Sequence, residues 1–120
     1  MSWYKNALAN RPEGTRFASA AVGGYRVSLA VDLTGRFGIS VCSPNDTFNR
    51  KLGQAIALNR MMSNSGSDMS GLIIDFPGKV CGENAVYAAG LVVAQSPDRF
   101  PLSFNRALQG EVERLAAANQ

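Results

Sequence analysis

The chain has 120 residues, 46% apolar and 18% charged, with a net charge of +3. That is the composition of one folded domain rather than a disordered chain, and no apolar stretch reaches the roughly 18 residues a transmembrane helix needs. Histidine is absent and there are two cysteines, Cys42 and Cys81, which removes the usual general base near neutral pH, the commonest zinc ligand and any disulfide framework.

The charge is unevenly spread. Residues 1–60 carry eight Lys/Arg against three acids, a net of +5, while residues 61–120 carry four against six, a net of −2. A basic front half attracts anionic partners without saying which. The first residues, Met-Ser-Trp-Tyr-Lys-Asn, lack the charged-then-apolar order of a secretion signal, so a cytoplasmic location is expected.

In chain order, Ser2 is placed to cap a short helix over Trp3–Asn10, which Arg11-Pro-Glu-Gly14 ends. Two extended runs follow, Tyr25–Asp32 and Phe37–Ser43, each alternating apolar and small or polar residues around Leu33-Thr-Gly-Arg36. That pattern predicts an antiparallel hairpin. Asp46 or Thr47 then opens a helix over Phe48–Met62, whose apolar stripe centres on Phe48, Leu52, Ala55 and Asn59 and leaves Leu58 and Met61 outside it. Residues 63–71, rich in Ser and Gly, read as a flexible connector.

The pattern then restarts. Val27–Arg36 aligns with Ser70–Lys79, Ser43-Pro44 with Ser96-Pro97, and Phe48-Asn-Arg-Lys-Leu52 with Phe104-Asn-Arg-Ala-Leu108. Residues 85–95 suit either a strand or an Ala-rich helix, and the repeat favours a strand. A final helix covers Phe104–Ala117, with Phe104, Leu108, Val112 and Leu115 as its stripe. Together these predict one compact α+β domain over residues 1–120. It would hold an antiparallel sheet with helices on one face, built from two strand–strand–helix units at 25–62 and 70–117, plus the short N-terminal helix.

Chemistry concentrates in the first long helix. Asn49, Gly53 and Arg60 share one edge of its stripe. A glycine inside a helix costs about 1 kcal/mol, so something approaches closely at Gly53. That something is either a flat or anionic ligand between Asn49 and Arg60, or a neighbouring strand or helix. Arg50 and Lys51 lie on the outer side, as ligand contacts or as solvated surface. The pairing of Asn49-Arg50 with Asn105-Arg106 adds Arg106 as a lesser candidate, although both asparagines also suit helix ends. Neither cysteine has a histidine to activate it, and no carboxylate pair, phosphate loop or dinucleotide fingerprint is present. No enzyme activity, cofactor or metal is expected.

The run Asp46–Arg60, directly after a hairpin, resembles small phage-encoded proteins in which a hairpin precedes a helix reading Phe-x-Arg-Lys-x-Gly-x-x-Ile-Ala-x-x-Arg. Some of these are similar to a Thoeris anti-defence family that sequesters a cyclic ADP-ribose signal. The resemblance covers residues 25–62. It departs at Gln54, where a second basic residue is expected after the glycine. It implies a non-enzymatic phage accessory protein in the host cytoplasm, an inhibitor of host defence that binds a nucleotide signal or nucleic acid. On the residues above, the contacts would fall to Asn49, Arg50, Lys51, Gly53, Arg60 and Arg106. The alternative is a module that binds a host defence protein or forms homo-oligomers, using edge strands, Leu58, Met61 and Trp3-Tyr4. Neither reading involves a membrane.

Overall fold

The structure, a computed structural model, describes residues 2–63 and 80–118. Helix α1 spans Trp3–Ala9, and strands β1 (Arg16–Val22), β2 (Tyr25–Val31) and β3 (Phe37–Cys42) follow. Helices α2 (Arg50–Met62), α3 (Gly82–Gln95) and α4 (Leu102–Ala118) complete the described chain. The sheet is antiparallel in the order β1-β2-β3. The α+β class, the antiparallel sheet and the short N-terminal helix are as the sequence predicts.

Strand β1 is the element the pattern reading leaves out. Arg16-Phe-Ala-Ser-Ala-Ala-Val22 is poor in the residues that favour strands, and its pairing is tertiary in origin. It pairs with β2 from Arg16↔Val31 to Val22↔Tyr25, turning through Gly23 and Gly24. Both glycines have positive φ, 53° and 87°, which a tight two-residue hairpin turn requires. That Gly-Gly pair is the signal in the sequence.

The β2–β3 hairpin forms as predicted, closed by Asp32. Its Oδ1 accepts from the Thr34 amide at 2.9 Å, the Thr34 hydroxyl at 2.7 Å and the Arg36 amide at 3.0 Å. Its Oδ2 accepts from Arg36 Nε at 2.9 Å. A single carboxylate thus reinforces a turn whose backbone is closed by the Asp32 amide donating to the Arg36 carbonyl at 2.9 Å and the Gly35 amide to the Asp32 carbonyl at 3.1 Å.

The helices lie on both faces of the sheet, not on one. Because side chains alternate along a strand, Val27, Leu29, Val31, Phe37 and Ile39 point to one face, where they pack with Ala85, Val86, Ala88, Ala89 and Val92 of α3 and with Phe104 and Leu108 of α4. Ala30 points to the other face and packs with Ala57, Leu58 and Met61 of α2, with Leu8 of α1 beside them. Central strand β2 is therefore buried on both sides from Val27 onward. Each large apolar side chain so buried contributes about 1.5–3 kcal/mol.

Residues 85–95 are helical and not the second strand of a repeat. Buried Ala85, Val86, Ala88, Ala89 and Val92 recur at helical spacing, and the helix opens on a cap in which the Cys81 amide donates to Asn84 Oδ1 at 2.8 Å. A run whose small residues suit a close-packed helix reads equally as alternation, and the sheet's second face needed covering. Residues 80–118 thus form two helices, and a second strand–strand–helix unit does not appear among the described residues. The expected strand at Ser70–Lys79 and most of the 63–71 connector lie outside them.

Helix α2 is rotated from its expected orientation. Leu58 and Met61 are buried and Asn59 is exposed. The contact is backbone against backbone: a Cβ at Gly38 would run into Met61 N and Ala57 O. The close approach at Gly38 of β3, with Leu58 and Met61 buried beside it, sets which side of the helix meets the sheet.

Gly38→Ala is expected to destabilise the protein by about 1–3 kcal/mol or more, since backbone atoms must shift to admit the methyl group. Gly90→Ala, where nothing lies within 4 Å of the added Cβ, should stabilise α3 by about 0.5–1 kcal/mol; urea denaturation measures both. Burial works against the charge on Asp32, yet the bonds from Thr34 and Arg36 prevail and hold its pKa below the ordinary value. A depressed folded-state pKa gives stability that is present above the unfolded value of about 3.9 and is lost as pH falls through the lower folded value. Asp32→Asn should flatten that acid limb in denaturation measured from pH 7 down to 2.

Candidate anion-binding site

The residues expected to share one site fall into three places. Asn49 is the N-cap of α2, with extended backbone, and its Oδ1 accepts from the Leu52 amide at 3.1 Å. Arg50 and Lys51 follow in the first turn, both exposed. Arg60 lies ten residues on, about 15 Å along the helix axis. Arg106 is exposed on α4, which packs on the opposite sheet face.

Gly53 does not open onto ligand space. A Cβ there would sit 2.7 Å from Ser28 Oγ on β2, and the Ser40 hydroxyl donates to Gly53 O at 2.8 Å. The close neighbour is the sheet. Arg60 is likewise engaged by the fold, its Nη1 donating to the Ile39 carbonyl of β3 at 2.8 Å. Burial, and the positive charge of Arg99, lower its pKa from the ordinary arginine value. A cation in the last turn also complements the negative end of the helix dipole.

What remains is the N-terminal end of α2. The first amide groups of any helix lack intrahelical partners and carry about half a positive charge. Asn49 satisfies the Leu52 amide, but no acid stands in the first turn; Arg50 and Lys51 stand there instead. Helix α1 packs against α2 and adds Tyr4 and Lys5. The side chains of Ser2 and Asn49, followed by the charges of Lys5 and Lys51, hold the Tyr4 phenol below its ordinary pKa. Trp3 stands edge-on to Tyr4 with ring centroids 6.2 Å apart, and is 52% exposed. On β2, the Arg26 guanidinium lies 4.9 Å from the centroid of the Phe48 ring, just before the helix.

Lys5 and Arg26 are not among the expected site residues, and Tyr4 is expected only in the protein-binding alternative. Lys5 was visible as a charge, but nothing in the spacing of α1 relative to α2 shows that they pack together. Arg26 occupies a polar position of an alternating strand, which reads as surface.

Elsewhere, both cysteines are free thiols: Cys42 is half-buried and Cys81 is exposed at the start of α3. Among the described residues, no group of three or more Cys, Asp or Glu is placed to hold a metal, and no helix is long and apolar enough to cross a membrane. Compared with known protein families, curated proteins and solved structures, the chain matches none.

The cap makes a prediction that separates structure from binding. Asn49→Ala should cost about 1 kcal/mol of stability, and Asn49→Ser should restore most of it, because the serine oxygen also accepts from the first-turn amides. Thermal denaturation of the two variants checks this.

Proposed function

We propose that this chain is a non-enzymatic binding protein that engages an anionic target, a nucleotide signal or a nucleic-acid backbone, through the start of α2. Arg50, Lys51 and Lys5 carry the contact, with Asn49 shaping the helix end. The observation behind this reading is the absence of any acid and the presence of two cations in the first turn of a 13-residue helix. Each cation there opposes the helix dipole by about 0.3–1 kcal/mol. A bound anion reverses the sign of that interaction, because the dipole and both cations then attract it. A local arrangement that disfavours the fold and suits a ligand is expected at functional positions.

The likeness of residues 46–60 to the phage-encoded hairpin–helix proteins supports a finer version: an accessory protein acting in the host cytoplasm to inhibit a defence system by holding its anionic signal. The protein-binding alternative loses two of its residues, since Leu58 and Met61 lie in the core; it retains Trp3, Tyr4 and the edge strands β1 and β3.

The test is binding of a nucleotide panel that includes cyclic ADP-ribose, and of a labelled single-stranded oligonucleotide, by calorimetry and fluorescence anisotropy. Arg50→Glu with Lys51→Glu should weaken binding at least tenfold and reduce its dependence on salt, while Arg106→Glu on the far layer should leave both unchanged. Equal affinity of the double variant and the parent for every anion bound, or no binding by the parent, would reject the proposal.

A further inference from the structure

The layer on the opposite sheet face carries a feature that the anion-binding reading does not use. Between the first half of α3 and the second half of α4 runs a groove of about 290 Å³, lined by Glu83, Asn84, Val86, Tyr87, Val112 and Leu115 among others. Its floor includes buried Val86, 3% exposed, while Tyr87 (56%) and Val112 (41%) stand on its rim in water. Helix α3 carries no charge between Glu83 and the end of the helix. The uncharged wall therefore has a single carboxylate at one end.

An acid in the first turn of a helix is favoured by the dipole alone. What distinguishes Glu83 is its company. Neither a hydrogen bond nor an ion pair engages its carboxylate among the described residues. The nearby cation, Arg114, is held by Glu111 in an ion pair; its hydrogen bond to Glu111, then the charge of Glu111 and last that of Glu83, raise its pKa. With Arg114 already taken by Glu111, the Glu83 carboxylate leaves its end of the groove with a net negative charge. The exposed face of Tyr87, one helical turn from Glu83, adds the electron-rich surface on which cations settle.

We propose that this groove is a second binding site, for an organic cation carried on an apolar stem: an alkylammonium or alkylguanidinium group. The charged head would meet Glu83 and the Tyr87 ring, and the stem would cover Val86, Val112 and Leu115. The volume sits at the lower bound of small-molecule sites, about 300 Å³. It admits a ligand the size of one side chain and excludes a whole helix, about 10 Å across. This site is independent of the anion-binding proposal, being on the other side of the sheet.

The experiment is an NMR titration of the full chain with n-butylguanidinium, n-butylammonium and the neutral n-butanol. Shifts should concentrate on Tyr87, Val112 and Leu115, and the cations should bind roughly three- to fivefold tighter than the alcohol, as a partly exposed charge contact allows. Glu83→Gln should reduce the cations to the affinity of the alcohol. Tyr87→Leu, which keeps an apolar wall and threatens no core packing, should weaken the cations while leaving the alcohol unchanged. Cation shifts scattered over other acids such as Glu13 and Asp46, or undiminished cation binding by Glu83→Gln, would overturn the proposal. The peptide acetyl-Leu-Arg-Leu-amide identifies the source: tighter binding than n-butylguanidinium points to an arginine of a partner protein, weaker binding to a free amine.

Discussion

Helix α2 can lie on β2 and β3 only because Gly38 and Gly53 have no side chains at the crossing. A Cβ on Gly38 would occupy the space of helix backbone at Ala57 and Met61, and a Cβ on Gly53 would press on Ser28 Oγ. With both absent, the helix comes close enough for the Ser40 hydroxyl to reach the Gly53 carbonyl and for Arg60 to reach the Ile39 carbonyl. These polar bonds fix the helix along its axis as well as in rotation. Apolar packing alone tolerates sliding, whereas a hydrogen bond weakens steeply with misalignment. The position of Arg50 and Lys51 follows from that constraint, since a helix fixed at Gly53 and Arg60 holds its first turn at one place beside α1.

The same crossing accounts for the two layers having different chemistry. Where α2 crosses β2 and β3 the sheet presents small and polar side chains, Ser28, Ala30, Gly38 and Ser40, which suit a close helix, and Phe17 of β1 adds a large apolar side chain beside them. The other face presents Val27, Leu29, Val31, Phe37 and Ile39 to α3 and α4 and holds most of the hydrophobic core. A thin core on one side and a thick one on the other let the α1–α2 layer carry many cations while α3 carries few charges. The sheet separates the two layers, so a ligand on one has no direct contact with the other. Any coupling between them would have to pass through the buried central strand β2.

Local order explains which features could be read from the residues. The alternation of β2 and β3 was plain because each strand has a consistently apolar face, and the Asp32 turn joins them within five residues. The α2 and α4 helices were legible for the same reason: their patterns repeat within one or two turns. Strand β1 and helix α3 were not: β1 runs against the helix preference of its alanines, and the alternating small residues of α3, together with the apparent repeat, pointed to a strand. Strand β1 is fixed by its partner and by the Gly23-Gly24 turn, and α3 by the apolar sheet face it covers. In the candidate site, Asn49, Arg50 and Lys51 are neighbours in sequence and stay neighbours in space. Arg60, Gly53 and Arg106 part from them, because shared helical phase or repeat position says nothing about what packs against each.

By itself, then, the sequence determined the class of the protein, the central hairpin, the existence of α2 and α4 and the basic character of the first half. All of these arise from periodicity or charge over short stretches of chain. Only the tertiary structure decided that helices cover both sheet faces, that Gly53 and Arg60 serve the sheet, and that α1, which carries Lys5, packs against α2. Those outcomes depend on the competition among alternative faces for burial. That competition is settled by contacts between residues far apart in the chain, which local patterns do not encode.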